Sequence, residues 1–213
     1  MEVELQFLYR GEGPPVVPTS LAELELRHSQ PLTLVDTYYD TESLALRRVG
    51  CSLRIRQSDG EVRPWLTFKG PARKQRKAKR RHETELEIAS LPQSAEEMGR
   101  LLRGLGLERT IRRLSGLEAE PTLQPIGELR NRRSRHRYEH GLHRLELTWD
   151  ELEFPTGDPE TRLEVEARSE LAERLLELAA AELAALFGDD LVPASKGKAR
   201  ELCERLYPEL LAA

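Results

Sequence analysis

Like-charged residues two positions apart recur along this chain: Glu2 and Glu4, Arg54 and Arg56, Glu83 and Glu85 behind Arg81, and Glu164 and Glu166. In an extended chain, residues i and i+2 share one face and lie about 6–7 Å apart. Two carboxylates at that spacing can share a hard divalent cation such as Mg²⁺ or Mn²⁺, or serve two of them. Arginines on a common face suit bidentate contacts to phosphate oxygens, and a lysine adds a point charge. The chemistry these pairs could carry is the joint binding of a polyanion and a divalent metal. An ordinary one-sided sheet also shows polar pairs to water. Recurrence over several strands shifts the weight away from that reading: if the sheet curls with its charged face inward, water, metal or ligand must compensate the charges.

The elements that must position these residues follow from periodicity. Residues 2–7 alternate, with Val3, Leu5, Phe7 and Tyr9 on one face and Glu2, Glu4 and Gln6 on the other, a β period. Strands are expected at 33–39, 51–57, 62–69, 79–88, 126–138, 142–149 and 161–167. Thr19 or Ser20 is placed to cap a short helix carrying Leu21, Leu24 and Leu26. Ser94-Ala95-Glu96-Glu97 is a capping box that opens a helix with Leu101, Leu102 and Leu105. Residues 117–124 read as irregular. Ser169 is placed to cap a long Ala/Leu/Glu helix over 170–187 that Gly188 stops, and a last helix lies near 197–206. With no internal repeat and no dividing linker, residues 1–213 are expected to form one α+β domain: about eight short strands in an antiparallel barrel or curled sheet with helices packed around it.

Composition removes other classes. The chain has 213 residues and a net charge of −4, and 38% of its residues are hydrophobic, enough for a core. No apolar run reaches bilayer-spanning length, and the start lacks a signal peptide's basic and apolar regions, so a cytoplasmic location and no membrane partner are expected. Cys51 and Cys203 have no metal-ligand spacing and read as buried structural thiols. There is no GxxxxGK[ST] loop, no GxGxxG and no catalytic histidine pattern. The basic run Arg73–Arg81 reads as a solvated loop leading into a strand. The acidic net charge and the absence of a nucleic-acid motif argue against nucleic acid as a partner.

Several segments, in order, resemble the CYTH domain, or triphosphate tunnel metalloenzyme, family. They are Glu2-Val3-Glu4-Leu5-Gln6 (the ExExK start), Thr37-Tyr38-Tyr39-Asp40-Thr41, Leu46 to Arg56, Leu66 to Gly70, Arg81-His82-Glu83-Thr84-Glu85, Leu163-Glu164-Val165-Glu166 and Ser195-Lys196. The resemblance implies an eight-stranded antiparallel β-barrel, a tunnel with helices packed on the outside, that binds a triphosphate-containing small molecule and Mg²⁺ or Mn²⁺ and hydrolyses the terminal phosphoanhydride. It implies metal ligands among Glu2, Glu4, Glu164 and Glu166, with Asp150 a further candidate. Glu4, Glu83, Glu85 and Glu166 would act in catalysis. Arg54, Arg56, Lys69, Arg81, Arg132, Arg133 and Lys196 would hold phosphate. Two other uses of such a tunnel stay open: a class IV-like adenylate cyclase, and a non-catalytic module binding polyphosphate or RNA. Monomer and homodimer are equally open.

Three positions depart from the pattern or leave it ambiguous. Gln6 stands where the family usually has Lys. In the 130–137 segment Arg130 and Arg132 share one face, and Arg133, Arg135 and Arg137 the other; resemblance favours Arg132, then Arg133. Lys196 and Lys198 are equally hard to separate.

Overall fold

In the computed structural model of the chain, the alternating segments become strands. The structure describes residues 2–75, 78–116 and 122–212, with the backbone alone at residues 2, 73–75, 78–79, 170–171 and 212. The strands are β1 (Glu2–Tyr9), β2 (Ser20–Leu21), β3 (Leu24–Asp40), β4 (Ser52–Ser58), β5 (Trp65–Lys69), β6 (Arg73–Gln75), β7 (Ala78–Arg81) and β8 (Glu83–Glu87). They continue with β9 (Gln124–His140), β10 (His143–Glu153), β11 (Glu160–Ala167) and β12 (Leu191–Pro193). The helices are α1 (Ala45–Arg48), α2 (Ala95–Gly104), α3 (Leu107–Ser115), α4 (Leu176–Phe187), α5 (Lys198–Leu206) and α6 (Pro208–Ala212).

The strands form one antiparallel sheet in the order β6-β7-β1-β11-β10-β9-β3-β4-β5-β8. Only His82 separates β7 from β8. β7 pairs with β1, through Glu2 opposite Arg81, and β8 pairs with β5, through Lys69 opposite Glu83. One continuous stretch therefore bridges the two ends of the sheet and nearly closes it into a barrel. Among the described residues the ring has nine strands, or eight if the stretch joined at His82 is taken as one.

The barrel is polar inside and apolar outside, so the helices serve as its outer cover. Val3, Leu5 and Phe7 of β1, with Leu145, Leu147, Trp149, Leu163 and Val165, pack under Leu176, Ala179 and Leu183 of α4. Leu53, Ile55, Leu66 and Phe68 pack under Met98 and Leu102 of α2 and Leu107 and Ile111 of α3. Each such side chain contributes about 1.5–3 kcal/mol when fully buried, so these outer layers hold the ring together. In α2, Ser94 Oγ accepts the Glu97 N–H at 3.2 Å, the expected cap, while the Glu97 carboxylate accepts the N–H of Gln93, one residue before the cap, at 2.6 Å in place of the reciprocal bond to Ser94.

A third cluster closes one end of the barrel. There the inward-facing positions turn apolar, and Tyr38, Leu129 and Leu152 meet Leu202 and Cys203 of α5. Gly127 shares their face. A Cβ at Gly127 would lie 2.6 Å from Leu206 Cδ1 and 3.2 Å from Leu202 Cδ2, so glycine allows α5 to seat.

Several expected elements differ. The basic run Arg73–Arg81, expected as a solvated loop leading into a strand, carries β6 and β7, which pair antiparallel. Residues 20–25 form a β-hairpin, not a helix: Ala22 (φ 49°) and Glu23 (φ 64°) make the turn, and Glu182 of α4 accepts the Ala22 N–H at 2.7 Å. The turn has no glycine or asparagine to mark it, and Leu21 and Leu24 mimic helical spacing. The long helix begins as a 3₁₀ turn, Glu170–Leu175. Ser169 Oγ accepts the Arg144 N–H at 3.3 Å and does not cap that turn. β3 and β9 each run 17 residues, longer than expected, with irregular pairing at Leu26/His28 and Tyr38/Tyr39. Residues 117–121 of the segment expected to be irregular lie outside the described residues.

Candidate active site

The strand pairs set the charged face before any ligand is considered. Even-numbered residues of β1, β4, β10 and β11, and odd-numbered ones of β5, β8 and β9, turn inward. They enclose a cavity of about 620 Å³. Of the expected phosphate-binding residues, Arg54, Arg56, Lys69, Arg81 and Arg133 line it, and so do the expected carboxylates Glu4, Glu83, Glu85, Glu164 and Glu166. The side chain of Glu2 lies outside the described residues.

Two buried aspartates anchor the cations. Asp36 on β3 is fully buried and holds Arg56 in a bidentate pair at 2.6 and 2.7 Å, with Arg54 at 3.1 Å. Asp150 on β10, also fully buried, holds Arg133 at 2.6 and 2.7 Å and bonds Lys198 Nζ and the Asn131 amide. Burial alone would push both carboxyls up. The adjacent guanidiniums, and at Asp150 the Lys198 ammonium, outweigh it and hold both well below the ordinary carboxylate range. Burial opposes charge on Arg54 and Arg133 in turn, but Asp36 and Asp150 outweigh it and keep both guanidiniums firmly protonated.

The upper part of the lumen is a mesh of ion pairs. Arg81 meets Glu4 at 2.5 Å, Lys69 meets Glu83 at 3.1 Å, and Arg168 meets Glu146 at 2.7 Å and Glu166 at 2.8 Å. Glu164 takes Arg133 at 3.2 Å and Lys198 at 3.0 Å. Burial works against the Glu164 charge, yet Lys198 draws its carboxyl below the usual value. Charges expected to need water, metal or ligand thus compensate one another. Gln6 Nε2 donates to Glu4 Oε1 and Glu164 Oε1, both at 3.0 Å, bridging two carboxylates across β1 and β11. Among the described residues Glu85 has no partner in this mesh and accepts a hydrogen bond from the Thr67 hydroxyl at 3.1 Å.

Three expected site residues are placed elsewhere. Arg132 points out of the barrel, 69% exposed, and pairs with Glu153 at 2.5 Å. Its neighbour Arg133 takes the inward parity. Lys196 also points away, to Glu204 at 2.6 Å, because Arg162 donates to its carbonyl at 2.8 Å and fixes the peptide there. Gly197 is extended and caps α5, and Lys198, the first residue of that helix, enters the lumen. Asp150 lies beneath the cavity with both oxygens taken by cations, an anchor and not an open metal ligand.

Other lumen residues lie outside the expected set. Arg135 shares the parity of Arg133, so its place is legible in the sequence. It lines the cavity and donates to Gln30 at 2.7 Å. Glu146 is directly opposite Glu166, as Glu166 is opposite Glu4, so carboxylates line up across β10, β11 and β1. Asp36 had no acidic neighbour at i+2 to reveal it, and Arg168 falls one residue past β11.

A family model described as the CYTH domain matches residues 1–193. The chain belongs to the CYTH-domain family. Among solved structures, the CYTH chain is similar to HpAC1 from Hippeastrum at 20% identity, with 99% of each chain covered and a TM-score of 0.69. It is similar to the PH1819 protein of Pyrococcus horikoshii OT3 at 20% identity, covering 96% of this chain and 99% of that one, with a TM-score of 0.58. An adenylate cyclase by name from Vibrio parahaemolyticus aligns at 19% identity over 100% and 98% of the two chains, with a TM-score of 0.52. These likenesses establish the fold. No curated protein matches the chain. The CYTH match ends at residue 193, whereas Lys198 and the helix that seals the barrel lie beyond it.

The expected metal can be tested against the donors present. Glu4, Glu146, Glu164 and Glu166 are carboxylates, the hard oxygen ligands Mg²⁺ and Mn²⁺ prefer. Glu4 and Glu164 each place an oxygen 3.0 Å from one Gln6 nitrogen. Among the described residues no three acidic groups form a ready metal cluster, as expected where Arg81, Arg168 and Lys198 hold their oxygens. The donor chemistry fits a divalent ion. The described helices include none long and apolar enough to cross a membrane.

Proposed function

We propose that this protein hydrolyses the terminal phosphoanhydride of inorganic triphosphate or a small organic triphosphate, with Mg²⁺ or Mn²⁺ as its metal. The observation that carries this reading is the single cavity in which Arg54, Arg56, Lys69, Arg81, Arg133 and Lys198 face Glu4, Glu83, Glu85, Glu164 and Glu166. The description of HpAC1 as an adenylyl cyclase by name with a dominant triphosphatase activity supports it.

Arg54, Arg56 and Arg133 present guanidinium edges held by buried aspartates, so they are oriented before a phosphate chain arrives and pay little reorganisation on binding. Phosphate oxygens replace carboxylates as partners of Arg81, Lys69 and Lys198, which releases Glu4, Glu83 and Glu164. Glu4, Glu164 and Glu166 would hold the divalent ion. When bound, it neutralises charge on phosphate oxygens and acidifies water. Glu85, held among the described residues only by a hydroxyl, would orient the attacking water and accept its proton.

The test is phosphate release from tripolyphosphate and from ATP with Mg²⁺ or Mn²⁺. Release of orthophosphate is expected. Cyclic AMP with pyrophosphate would mark a cyclase, and tight binding without turnover would mark a binding module; either would overturn the proposal.

A further inference from the structure

Gln6 is the one neutral side chain set between two carboxylates of the lumen wall. It is buried on β1, directly opposite Glu164 of β11 and on the same face as Glu4 two residues before it. Its Nε2 lies 3.0 Å from Glu4 Oε1 and 3.0 Å from Glu164 Oε1, so oxygens from neighbouring strands converge on one amide. Mg²⁺ takes oxygen ligands at about 2.0–2.1 Å in a near-ideal octahedron, whose neighbouring corners are therefore about 3.0 Å apart. The two contacts to Gln6 already have that length. A primary amide presents nitrogen or oxygen from nearly the same position when its plane makes a half-turn. With nitrogen toward the carboxylates, its N–H groups answer both. With oxygen there, three oxygens repel one another unless a cation lies among them. Amide carbonyls are ordinary ligands of hard cations. A lysine, usual at this place in the family, has three donors and no acceptor and cannot serve in that way.

We infer that Gln6 is itself a metal ligand: its amide turns when the divalent ion arrives, and its carbonyl oxygen joins Glu4 and Glu164 in holding that ion. In the structure the same two carboxylate oxygens also accept from Arg81 at 2.5 Å and Lys198 at 3.0 Å. Incoming phosphate draws off both cations, so the ion and the triphosphate enter together, and phosphate and water take the remaining coordination positions. The inference rests on the metal-dependent triphosphatase reading and adds to it a neutral ligand peculiar to this chain's departure from the family pattern.

Two measurements on the full chain test it, and neither needs turnover. First, Mn²⁺ binding is followed by the electron paramagnetic resonance of the free ion, with imidotriphosphate present, whose P–N–P bridges resist hydrolysis. Gln6→Leu keeps the volume but has no oxygen, and should weaken Mn²⁺ by about tenfold or more, at least what the loss of a group behind a ligand costs. Gln6→Glu keeps an oxygen at the same reach and should bind Mn²⁺ at least as tightly as the wild type. A Gln6 that only donates hydrogen bonds to steady the carboxylates predicts the reverse, with Glu failing as Leu does. Second, in crystals of the wild-type chain grown with Mn²⁺ and imidotriphosphate, the anomalous peak should lie within about 2.5 Å of the Gln6 side-chain oxygen. That measurement needs no variant, so it decides the matter even where a substitution prevents folding. Unchanged Mn²⁺ affinity in Gln6→Leu, lost affinity in Gln6→Glu, or a peak out of contact with Gln6 would overturn the inference. If Mn²⁺ binds through Gln6 and no triphosphate is hydrolysed, the hydrolytic reading fails while the ligand stands. If Mn²⁺ does not bind at all, both fail.

Discussion

Replacing Asp36 by asparagine tests the idea that buried aspartates hold the phosphate-binding cations in place. Asp36 is fully buried and makes three hydrogen bonds to Arg54 and Arg56. Asparagine keeps the shape and one acceptor but removes the charge, leaving two largely buried guanidiniums uncompensated. Removing one partner of a buried ion pair costs about 3–5 kcal/mol. For a chain of this size each kcal/mol moves Tm by about 2–4 °C, so the expected loss is about 6–20 °C. The pH dependence has a definite sign. Because the folded carboxyl is held below its ordinary value, its contribution is present above the unfolded value of about 4 and is lost as pH falls through the folded one. The gap between wild type and variant should stay constant from pH 5 to 8 and narrow only in stronger acid. Tripolyphosphate supplies the missing negative charge, so it should raise the Tm of the variant more than that of the wild type. Thermal and urea unfolding, with and without tripolyphosphate, measure all three effects. A loss below about 1 kcal/mol, within the range of an exposed ion pair, or an equal ligand-induced shift in both proteins, would refute the reasoning.

Further outcomes follow from the same geometry. Gln6→Lys puts an ammonium between Glu4 and Glu164, adding a cation to the lumen; KM for tripolyphosphate should fall several-fold and depend more steeply on salt. Arg133→Ala and Lys198→Ala should each lower kcat/KM by 100-fold or more, on the order of one lost transition-state contact. Arg132→Ala and Lys196→Ala should change it less than twofold in the same assay. Glu85→Gln should lower kcat about 100-fold or more with KM nearly unchanged, as expected for a lost proton acceptor. Gly127→Val should unseat α5, lowering Tm and exposing the Cys203 thiol, which burial pushes up to about 12, to a thiol reagent.

Several features of this protein were already decided locally. Alternation in β1, β4, β8 and β11 assigns Glu4, Arg54, Arg56, Glu83, Glu85, Glu164 and Glu166 to one face each, because strand parity depends only on neighbouring residues. The Ser94 capping box and the Gly188 stop are local in the same sense. The ordered family resemblance added that these faces turn inward. What the chain could not declare in one dimension was decided by pairing and closure. Arg132 and Arg133 differ only in parity, and it took the register against β10, with Arg133 opposite Asp150, to decide between them. Lys198 displaces Lys196 because Arg162, distant in sequence, pins the Lys196 carbonyl. Asp36 is an unremarkable acid in a Thr/Val strand until the ring brings Arg54 and Arg56 over it. The hairpin at Ala22–Glu23 forms despite its residue types, held in part by Glu182 from α4. Side-chain periodicity is a property of a few consecutive residues, whereas the compensation of a buried charge depends on whatever the closed sheet brings opposite it.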